Sequence, residues 1–312
     1  MTNILKKTRQ FAEERALIKG GDRILIAVSG GPDSVFLFYF LQYLRKFFDI
    51  SIAVAYIHHH LREEADEELV FVKTLADKYK APFYFKDIYI KGSSGIEEKA
   101  RKERYKALYS IAREAQCNKI AVGHNLDDQV ETVIIRFIKG TGIAGLGGIL
   151  PEKKLFPRTE IAVIRPMLCL EKQEILRFLK EKKREYRIDA TNLSTNFFRN
   201  QIRLEVVPLL LQHNPQFKKK IAQLSFLLQD DFAFLQRKGY EAFERIFTDK
   251  GDALNMAEYR RLDISLKRMV AGLLIEKITG APYRSYNKIR QLVEFLDQYP
   301  GKRLKIEKLP LC

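Results

Sequence analysis

Residues 24–34 read Ile-Leu-Ile-Ala-Val-Ser-Gly-Gly-Pro-Asp-Ser, and this stretch decides the fold. The apolar run from Ile24 to Val28 has the length of a buried parallel strand, and a small, polar, glycine-rich turn follows it. The apolar segment that begins at Val35 predicts a buried helix. A strand, a glycine-rich turn and a helix form an anion site in many α/β proteins. The glycines let the backbone approach a ligand, and the helix N-terminus offers unpaired N–H groups.

The residues of the turn indicate which phosphate chemistry it supports. No Gly-Lys-Ser/Thr follows, so the turn is not a Walker loop and γ-phosphoryl transfer is disfavoured. Ser-Gly-Gly-x-Asp-Ser resembles the pyrophosphate loop of ATP pyrophosphatases, which transfer AMP and release pyrophosphate. The resemblance implies that the whole loop binds ATP: Ser29, Gly30, Gly31, Pro32, Asp33 and Ser34. The alternative is an ordinary strand-to-helix turn in which Asp33 or Ser34 caps the helix.

Length and composition exclude several protein classes. The 312 residues suffice for two domains, and no apolar run approaches the roughly 20 residues that span a bilayer. The N-terminus lacks the apolar core of a signal peptide. The three cysteines have no paired spacing, which argues against a disulfide framework or a zinc ribbon. We therefore expect a cytoplasmic protein with no membrane association.

The net charge favours a polyanionic partner. It is +16 overall, and +7 of it falls in residues 217–312, where the charge is denser than in the rest of the chain. Nucleic acid is the usual partner of such a surface. Solubility alone is the alternative, because a lysine-rich composition can produce the same balance.

Strand and helix patterns alternate through the first two thirds of the chain. Strands are predicted at residues 24–28, 52–57, 82–90, 119–123 and 161–166. The alternation predicts an α/β fold with a doubly wound, mostly parallel sheet. In such sheets ligands bind at the carboxyl ends of the strands, so the polar clusters after Val28, Ile57 and Val122 are expected to converge.

The rest of the chain is predicted to be a second, smaller helical domain. Helices are expected at residues 217–238, 240–247, 257–278 and 286–298. The expected division is an ATP-binding catalytic domain over residues 1–215 and a helical domain that binds nucleic acid over residues 216–312. Within the first domain, five of the 17 glycines fall in Gly140–Gly148, a density that predicts a mobile loop serving as a lid.

A cluster of polar side chains opens the helix after the fourth strand. Asn125 is a plausible N-cap, and Asp127 and Asp128 fall in the first turn, where the helix dipole stabilises anions. Glu131 lies one turn beyond Asp127 on the same face. Such carboxylates can hold Mg²⁺ or an ammonium group. Helix capping and dipole matching are the alternative explanation.

An ordered set of motifs over residues 21–211 closely resembles the tRNA(Ile)-lysidine synthetase family. The strongest are His-Asn-x-Asp-Asp-Gln-x-Glu-Thr at 124–132, the glycine segment at 140–148 and Arg165-Pro166. The remaining matches are residues 29–34, 59–62, Glu97 with 100–105, and 189–203. Two departures stand out: His58 replaces the asparagine that is usual in the family, and Ala190 replaces a proline.

The resemblance implies a two-step reaction on a tRNA(Ile) with a CAU anticodon. The wobble cytidine is adenylated by ATP, and the ε-amino group of free L-lysine then displaces AMP. The implied catalytic residues are Asp33, His124, Asp127, Asp128 and Glu131, with Asp33 and either Asp127 or Asp128 for Mg²⁺. Asp128 and Glu131 would bind the ammonium group, and one of them or His124 would accept its proton. His59 and Arg104 are further ATP candidates; Arg165, Arg199 and Arg203 are candidates for tRNA.

Three other functional hypotheses account for parts of the sequence. A tRNA thiolase uses a related loop, but it needs paired cysteines, and Cys117 and Cys169 lie far apart. An amidating synthetase needs an ammonia-producing domain, for which there is no room. A binding module without chemistry, for nucleotide or for tRNA, would leave either the acidic cluster or the loop unexplained.

Overall fold

The computed structural model describes residues 3–58, 65–89, 96–156, 159–187, 198–248, 253–280 and 285–309. The chain divides into two compact units, Met1–Ser225 and Phe226–Cys312. No helix in the described ranges is both long enough and apolar enough to cross a membrane.

The first unit is built on a six-stranded sheet with the strand order β3-β2-β1-β4-β6-β5. β5 runs antiparallel to its neighbour β6, and every other pairing is parallel. The strands are β1 (Arg23–Ala27), β2 (Ser51–His58), β3 (Phe83–Asp87), β4 (Lys119–Ala121), β5 (Glu152–Lys154) and β6 (Ala162–Ile164). The predicted doubly wound, mostly parallel sheet is confirmed, with the antiparallel β5 as an addition.

The first unit also contains nine α-helices and one π-helical turn among the described residues. They are α1 (Asn3–Glu14), α2 (Pro32–Leu44), α3 (Ala65–Lys78), α4 (Ile96–Glu114), α5 (Leu126–Ile138), α6 (Ile143–Leu146), α7 (Lys172–Glu181), α8 (Phe198–Gln201), a π-helical turn (Ile202–Val206) and α9 (Val207–His213). The helix α2 is apolar on nearly all sides because it is buried along most of its length. Its Phe36 packs edge-on against Phe178 of α7, with ring centroids 5.1 Å apart. This contact packs the second half of α7 against α2.

The second unit is mostly helical, with a small sheet that its sequence did not reveal. Its elements are the end of α10 (Phe217–Ile246), β7 (Phe247–Thr248), β8 (Ala253–Asn255), α11 (Met256–Arg260), α12 (Ile264–Thr279), α13 (Tyr286–Gln298) and β9 (Arg303–Lys305). The three strands form one antiparallel sheet in the order β7-β8-β9. Strands of two or three residues are too short for an alternating pattern to show.

Two predicted helices at residues 217–238 and 240–247 are one continuous helix, so the predicted break at Gly239 was wrong. A Cβ atom on Gly239 would lie 2.8 Å from Cβ of Met269 on α12. This glycine therefore allows two helices to pack closely instead of ending one. In the opposite sense, the predicted helix 257–278 is divided, because Asp263 begins α12 as its N-cap residue.

Candidate active site

The glycine-rich turn between β1 and α2 is closed by its own serines. The Ser29 amide donates to Oγ of Ser34 at 3.1 Å, and that hydroxyl donates to the Gly31 carbonyl at 2.9 Å. Gly30 has φ +84°, a left-handed conformation that favours glycine, and its carbonyl accepts from the Arg187 amide at 2.9 Å. Gly31 precedes Pro32 at the start of α2, and Asp33 lies in its first turn. The loop is thus preformed, with the N-terminus of α2 at its end.

The segment after β4 meets this loop at close range. A Cβ atom on Gly123 would lie 3.2 Å from the Asp33 carbonyl carbon and 3.2 Å from the Ser34 nitrogen. The Asn125 side chain donates to Oδ1 of Asp33 at 3.3 Å. The convergence predicted for the clusters after Val28 and Val122 is therefore confirmed. The third cluster begins at His58, beside Asp66 and Asp87, and its remainder lies outside the described residues.

Two lysines hold the candidate metal ligands Asp33 and Asp127. The Lys172 ammonium donates to Oδ2 of Asp33 at 2.6 Å, while the Lys172 backbone amide donates to Oδ2 of Asp127 at 2.7 Å. Lys218 donates to the other oxygen, Oδ1 of Asp127, at 2.6 Å. Each carboxylate oxygen of Asp127 thus accepts a hydrogen bond from a lysine of the protein itself.

Asp128 is a helix cap with a shifted pKa. Asn125 and Asp128 form a reciprocal capping box, in which each backbone amide donates to the other side chain. Burial raises the pKa of Asp128 to about 6, although Arg199 opposes the shift, and Glu131 and Asp33 add to it. The predicted N-cap at Asn125 is confirmed, and the cap includes a carboxyl group whose pKa lies well above the usual aspartate value.

Glu131 is the most enclosed carboxylate of the site, with 2% of its side chain exposed. Arg199 donates to Glu131 and to Asp128, at 2.7 Å in each case. Arg203 donates to both oxygens of Glu131, at 2.6 and 3.2 Å. These bonds raise the pKa of Arg203, chiefly through its hydrogen bond to Glu131. Asp128 and Glu131 therefore form a site that binds cationic nitrogen, and the chain's own guanidinium groups fill it.

A second group of sequence-predicted residues is positively charged. Arg165 is buried and donates to the Leu150 carbonyl at 2.8 Å, while Arg104 on α4 lies 5.8 Å from the centre of the Tyr105 ring. Burial lowers the pKa of both guanidinium groups. Burial and then the nearby arginines, Arg165 first, lower the pKa of His124 well below its usual value. His124 is consequently a neutral imidazole, and its buried Nδ1 has no hydrogen-bond partner among the described residues.

The glycine-rich segment is anchored where the sequence predicted a mobile lid. Its residues 143–146 form α6, and buried Gln129 donates to the Gly147 carbonyl at 3.1 Å and accepts from the Ile149 amide at 2.6 Å. Arg136 donates to two further carbonyls of the segment, at 3.0 and 2.7 Å. A Cβ atom on Gly148 would lie 2.7 Å from the Gln129 amide. Close packing therefore explains this glycine.

Several sequence-predicted residues are not placed. His59 with residues 60–62 and the segment 189–197 lie outside the described residues, and the side chain of Glu97 is not described either. Sequence reasoning in turn missed Lys172 and Lys218. A local signal existed for Lys172, because a basic residue at the first position of a helix is disfavoured by the helix dipole unless an acidic group accompanies it.

Comparison with known proteins supplies the family. A model of the PP-loop domain matches residues 1–210. The tRNA(Ile)-lysidine synthase of Petrotoga mobilis is 36% identical over 244 residues, which cover 77% of this chain and 76% of the relative. The chain belongs to the tRNA(Ile)-lysidine synthase family. A second synthase, from Dehalococcoides mccartyi, is 32% identical over 97% of this chain and 67% of its own length.

The chain is shorter than most of these family members. It spans 65% of the synthase of Persephonella marina and 46% of a bifunctional Listeria monocytogenes protein. Among solved structures, the U34-tRNA thiolase NcsA of Methanococcus maripaludis has a TM-score of 0.59 at 20% identity, over 72% of this chain and 79% of the thiolase. That likeness confirms the α/β fold over the part of the chain that it covers.

Proposed function

We propose that this protein joins free L-lysine to the wobble cytidine of a tRNA(Ile) with a CAU anticodon, using ATP and releasing AMP and pyrophosphate. One observation carries the proposal. A pyrophosphate loop and a carboxylate pair that binds cationic nitrogen lie together, linked through Asn125 and Asp33. The first suits an activation by ATP, and the second suits an amine substrate.

In the first step, the cytidine 2-oxygen attacks the α-phosphorus of ATP, and the bond to pyrophosphate breaks. The amides around Gly30 and Gly31 and the α2 N-terminus would bind the polyphosphate, with Arg104 and His59 as further contacts. Mg²⁺ would be held by Asp33 together with substrate phosphates once the Lys172 ammonium leaves Oδ2 of that carboxylate, and it would neutralise charge there. Asp127 would serve as a metal ligand only after releasing the Lys172 amide or Lys218.

In the second step, the lysine amine attacks the 2-carbon of the cytidine, and the bond to AMP breaks. A free amine has a pKa of about 10.4, so it must lose a proton before it attacks. Asp128 is the best-suited base, because a pKa of about 6 lies near the working pH. The lowered pKa of His124 makes that imidazole a weaker proton acceptor. Glu131 would bind the ammonium group before the transfer.

The tRNA would be bound by arginines of the first unit and by the basic helical unit. Among the described residues, no carboxylate pairs with buried Arg165, so a phosphate group would complete its environment. Arg199 and Arg203 are half-exposed and can turn to the tRNA backbone. The second unit would add contacts through its exposed lysines and arginines.

Thiolation is the rival reaction on this fold, and the described cysteines speak against it. Burial raises the pKa of Cys117 to about 11 and that of Cys169 to about 12. Neither thiol is therefore a ready nucleophile at neutral pH, since the thiolate is the reactive form.

The test is lysine transfer with radiolabelled lysine, ATP, Mg²⁺ and a tRNA(Ile) transcript with a CAU anticodon. We expect label in the tRNA, and its loss in Asp33→Ala. Pyrophosphate release without lysine incorporation would overturn the assignment of lysine as the substrate. Equal reaction of an elongator methionine tRNA with the same anticodon would overturn the tRNA assignment.

A further inference from the structure

We propose that Lys172 is a catalytic residue that contacts the polyphosphate of ATP, and that Asp127 positions it. The pyrophosphate loop contains no lysine of its own, whereas Lys172 reaches it from a point 139 residues away along the chain. This inference rests on the proposed use of ATP, and it adds a residue that the motifs of the chain did not indicate.

The position of Lys172 is fixed at both ends. Its ammonium group lies 2.6 Å from Oδ2 of Asp33, in the first turn of α2. Its backbone amide donates to Asp127, which Lys218 holds from the other side. Lys172 is also the first residue of α7, so the N-termini of α2 and α7, each with a partial positive charge, both lie at this place.

The exposure of the pair separates a functional lysine from a structural one. The Lys172 and Asp33 side chains are 35% and 28% exposed, so a ligand can reach both. A half-exposed pair of this kind contributes on the order of 1 kcal/mol to stability. The pair between Lys119 and Asp22 shows the structural case, because its side chains are only 10% and 8% exposed. Fold stability is therefore a weak reason for Lys172 to lie here.

The charges of the reaction give Lys172 its role. A triphosphate brings about four negative charges to a loop that already carries the Asp33 carboxylate. An ammonium group beside Asp33 offsets this repulsion while ATP binds. When the α-phosphorus bond breaks, the electrons of that bond go to the leaving pyrophosphate oxygen, and Lys172 stabilises the charge that develops there.

Pyrophosphate binding tests the contact directly. We expect Lys172→Met to lower the affinity of the purified protein for inorganic pyrophosphate about tenfold or more, measured by equilibrium dialysis. Lys172→Arg should recover most of the affinity, because it restores the charge. Lys7→Met is the matched control: Lys7 on α1 forms a half-buried ion pair with Glu174, which is on the same helix as Lys172, and the loss of Lys7 should leave the pyrophosphate affinity unchanged.

Kinetics then separate contact from positioning. Lys172→Met should lower kcat for pyrophosphate release and raise KM for ATP, while Asp127→Asn should do so by only about threefold, because it displaces the ammonium group without removing it. Wild-type affinity for pyrophosphate in a folded Lys172→Met or Lys172→Gln protein would overturn the proposal. The binding assay needs neither tRNA nor lysine, so a failure of lysine transfer would disprove the proposed function without touching this result.

Discussion

At the scale of single residues, the raised pKa of Asp128 makes the unfolding free energy depend on pH. Its value of about 6 exceeds the usual aspartate value of about 3.9, so the unfolded chain ionises this carboxyl group at lower pH than the folded protein does. Its contribution to the unfolding free energy is present below about pH 4 and is lost as the pH rises through 6.

The unfolding free energy of Asp128→Asn minus that of wild type should rise by about 2 kcal/mol from pH 4.5 to pH 7.5, because the amide cannot ionise. Urea unfolding followed by circular dichroism at both pH values measures this difference. Asp77→Asn, at an exposed position, is the control. A constant difference between Asp128→Asn and wild type across the two pH values would show that the folded protein does not resist the ionisation.

Gly123 packs against the backbone of the pyrophosphate loop with no space for a side chain. A Cβ atom there would press on backbone atoms of Asp33 and Ser34 at 3.2 Å, and backbone cannot rotate away as a side chain can. We expect Gly123→Ala to displace the loop, to cost about 1–3 kcal/mol of stability and to weaken pyrophosphate binding. Gly142→Ala is the control, since nothing lies within 4 Å of its Cβ position. Similar pyrophosphate affinity in the two variants would contradict this account.

Local sequence could predict some of these residues and not others. The N-cap at Asn125 and the carboxylates after it follow from short-range patterns. The partners of those carboxylates do not, because Lys172, Lys218 and Arg199 lie 45, 91 and 71 residues away from the groups that they contact. Such pairs depend on the packing of whole helices, which a motif does not encode.

At the scale of elements, α8 and its π-helical turn place Arg199 and Arg203 over the proposed amine site. Arg199 and Arg203 donate to the carboxylate oxygens that the proposed lysine ammonium would need, so the guanidinium groups and the substrate would compete for them. Phosphates of a bound tRNA would draw the two arginines away and free Asp128 and Glu131. A π-helical turn is common at functional sites, and this one carries Arg203.

We therefore expect the protein alone to bind lysine weakly and the protein–tRNA complex to bind it more tightly. Arg203→Gln should raise the lysine affinity of the free protein several-fold, since it removes one competitor. Equilibrium dialysis of radiolabelled lysine, with and without the tRNA transcript, measures both effects. Arg177→Gln, an exposed position on α7, serves as control. Equal lysine affinity in the presence and absence of tRNA would refute the competition.

The glycine segment is held in place by the side chain of Gln129. Gln129 is fully buried and donates to Ser225 at 2.7 Å as well as holding the turn after α6. Gln129→Leu would leave the Ile149 amide and the Gly147 carbonyl without this partner, at a cost of about 2–4 kcal/mol. Urea unfolding measures the loss. A change below about 0.5 kcal/mol would show that the segment does not depend on this anchor.

At the scale of the whole molecule, the fold class was open to prediction because alternating strands and helices define a parallel sheet. The antiparallel strand β5 was not, since its residues Glu152–Lys154 are all exposed and show no apolar pattern. The same limit applies to β7, β8 and β9. The continuous helix α10 was missed for another reason: Gly239 looks like a break until its close neighbour Met269 is known.

The distribution of charge tests whether the second unit binds tRNA. Each arginine that neutralises a phosphate releases a counterion, so removing one such contact should lower the slope of log affinity against log salt by about one. Arg237 and Arg268 are exposed in this unit, and Arg237 lies 5.5 Å from the Phe234 ring centre, an arrangement that suits an unpaired base. We expect the double variant Arg237→Gln/Arg268→Gln to bind the transcript more weakly, with a slope reduced by about two.

The matched control removes the same charge from the first unit. Arg45 and Arg113 are also exposed, and Arg45→Gln/Arg113→Gln lowers the net charge of +16 by the same amount. If net charge alone attracted the tRNA, both double variants would shift the slope equally, and the second unit would lose its proposed role. A change confined to Arg237→Gln/Arg268→Gln means that phosphates lie against that unit, because counterion release counts local contacts and not the total charge.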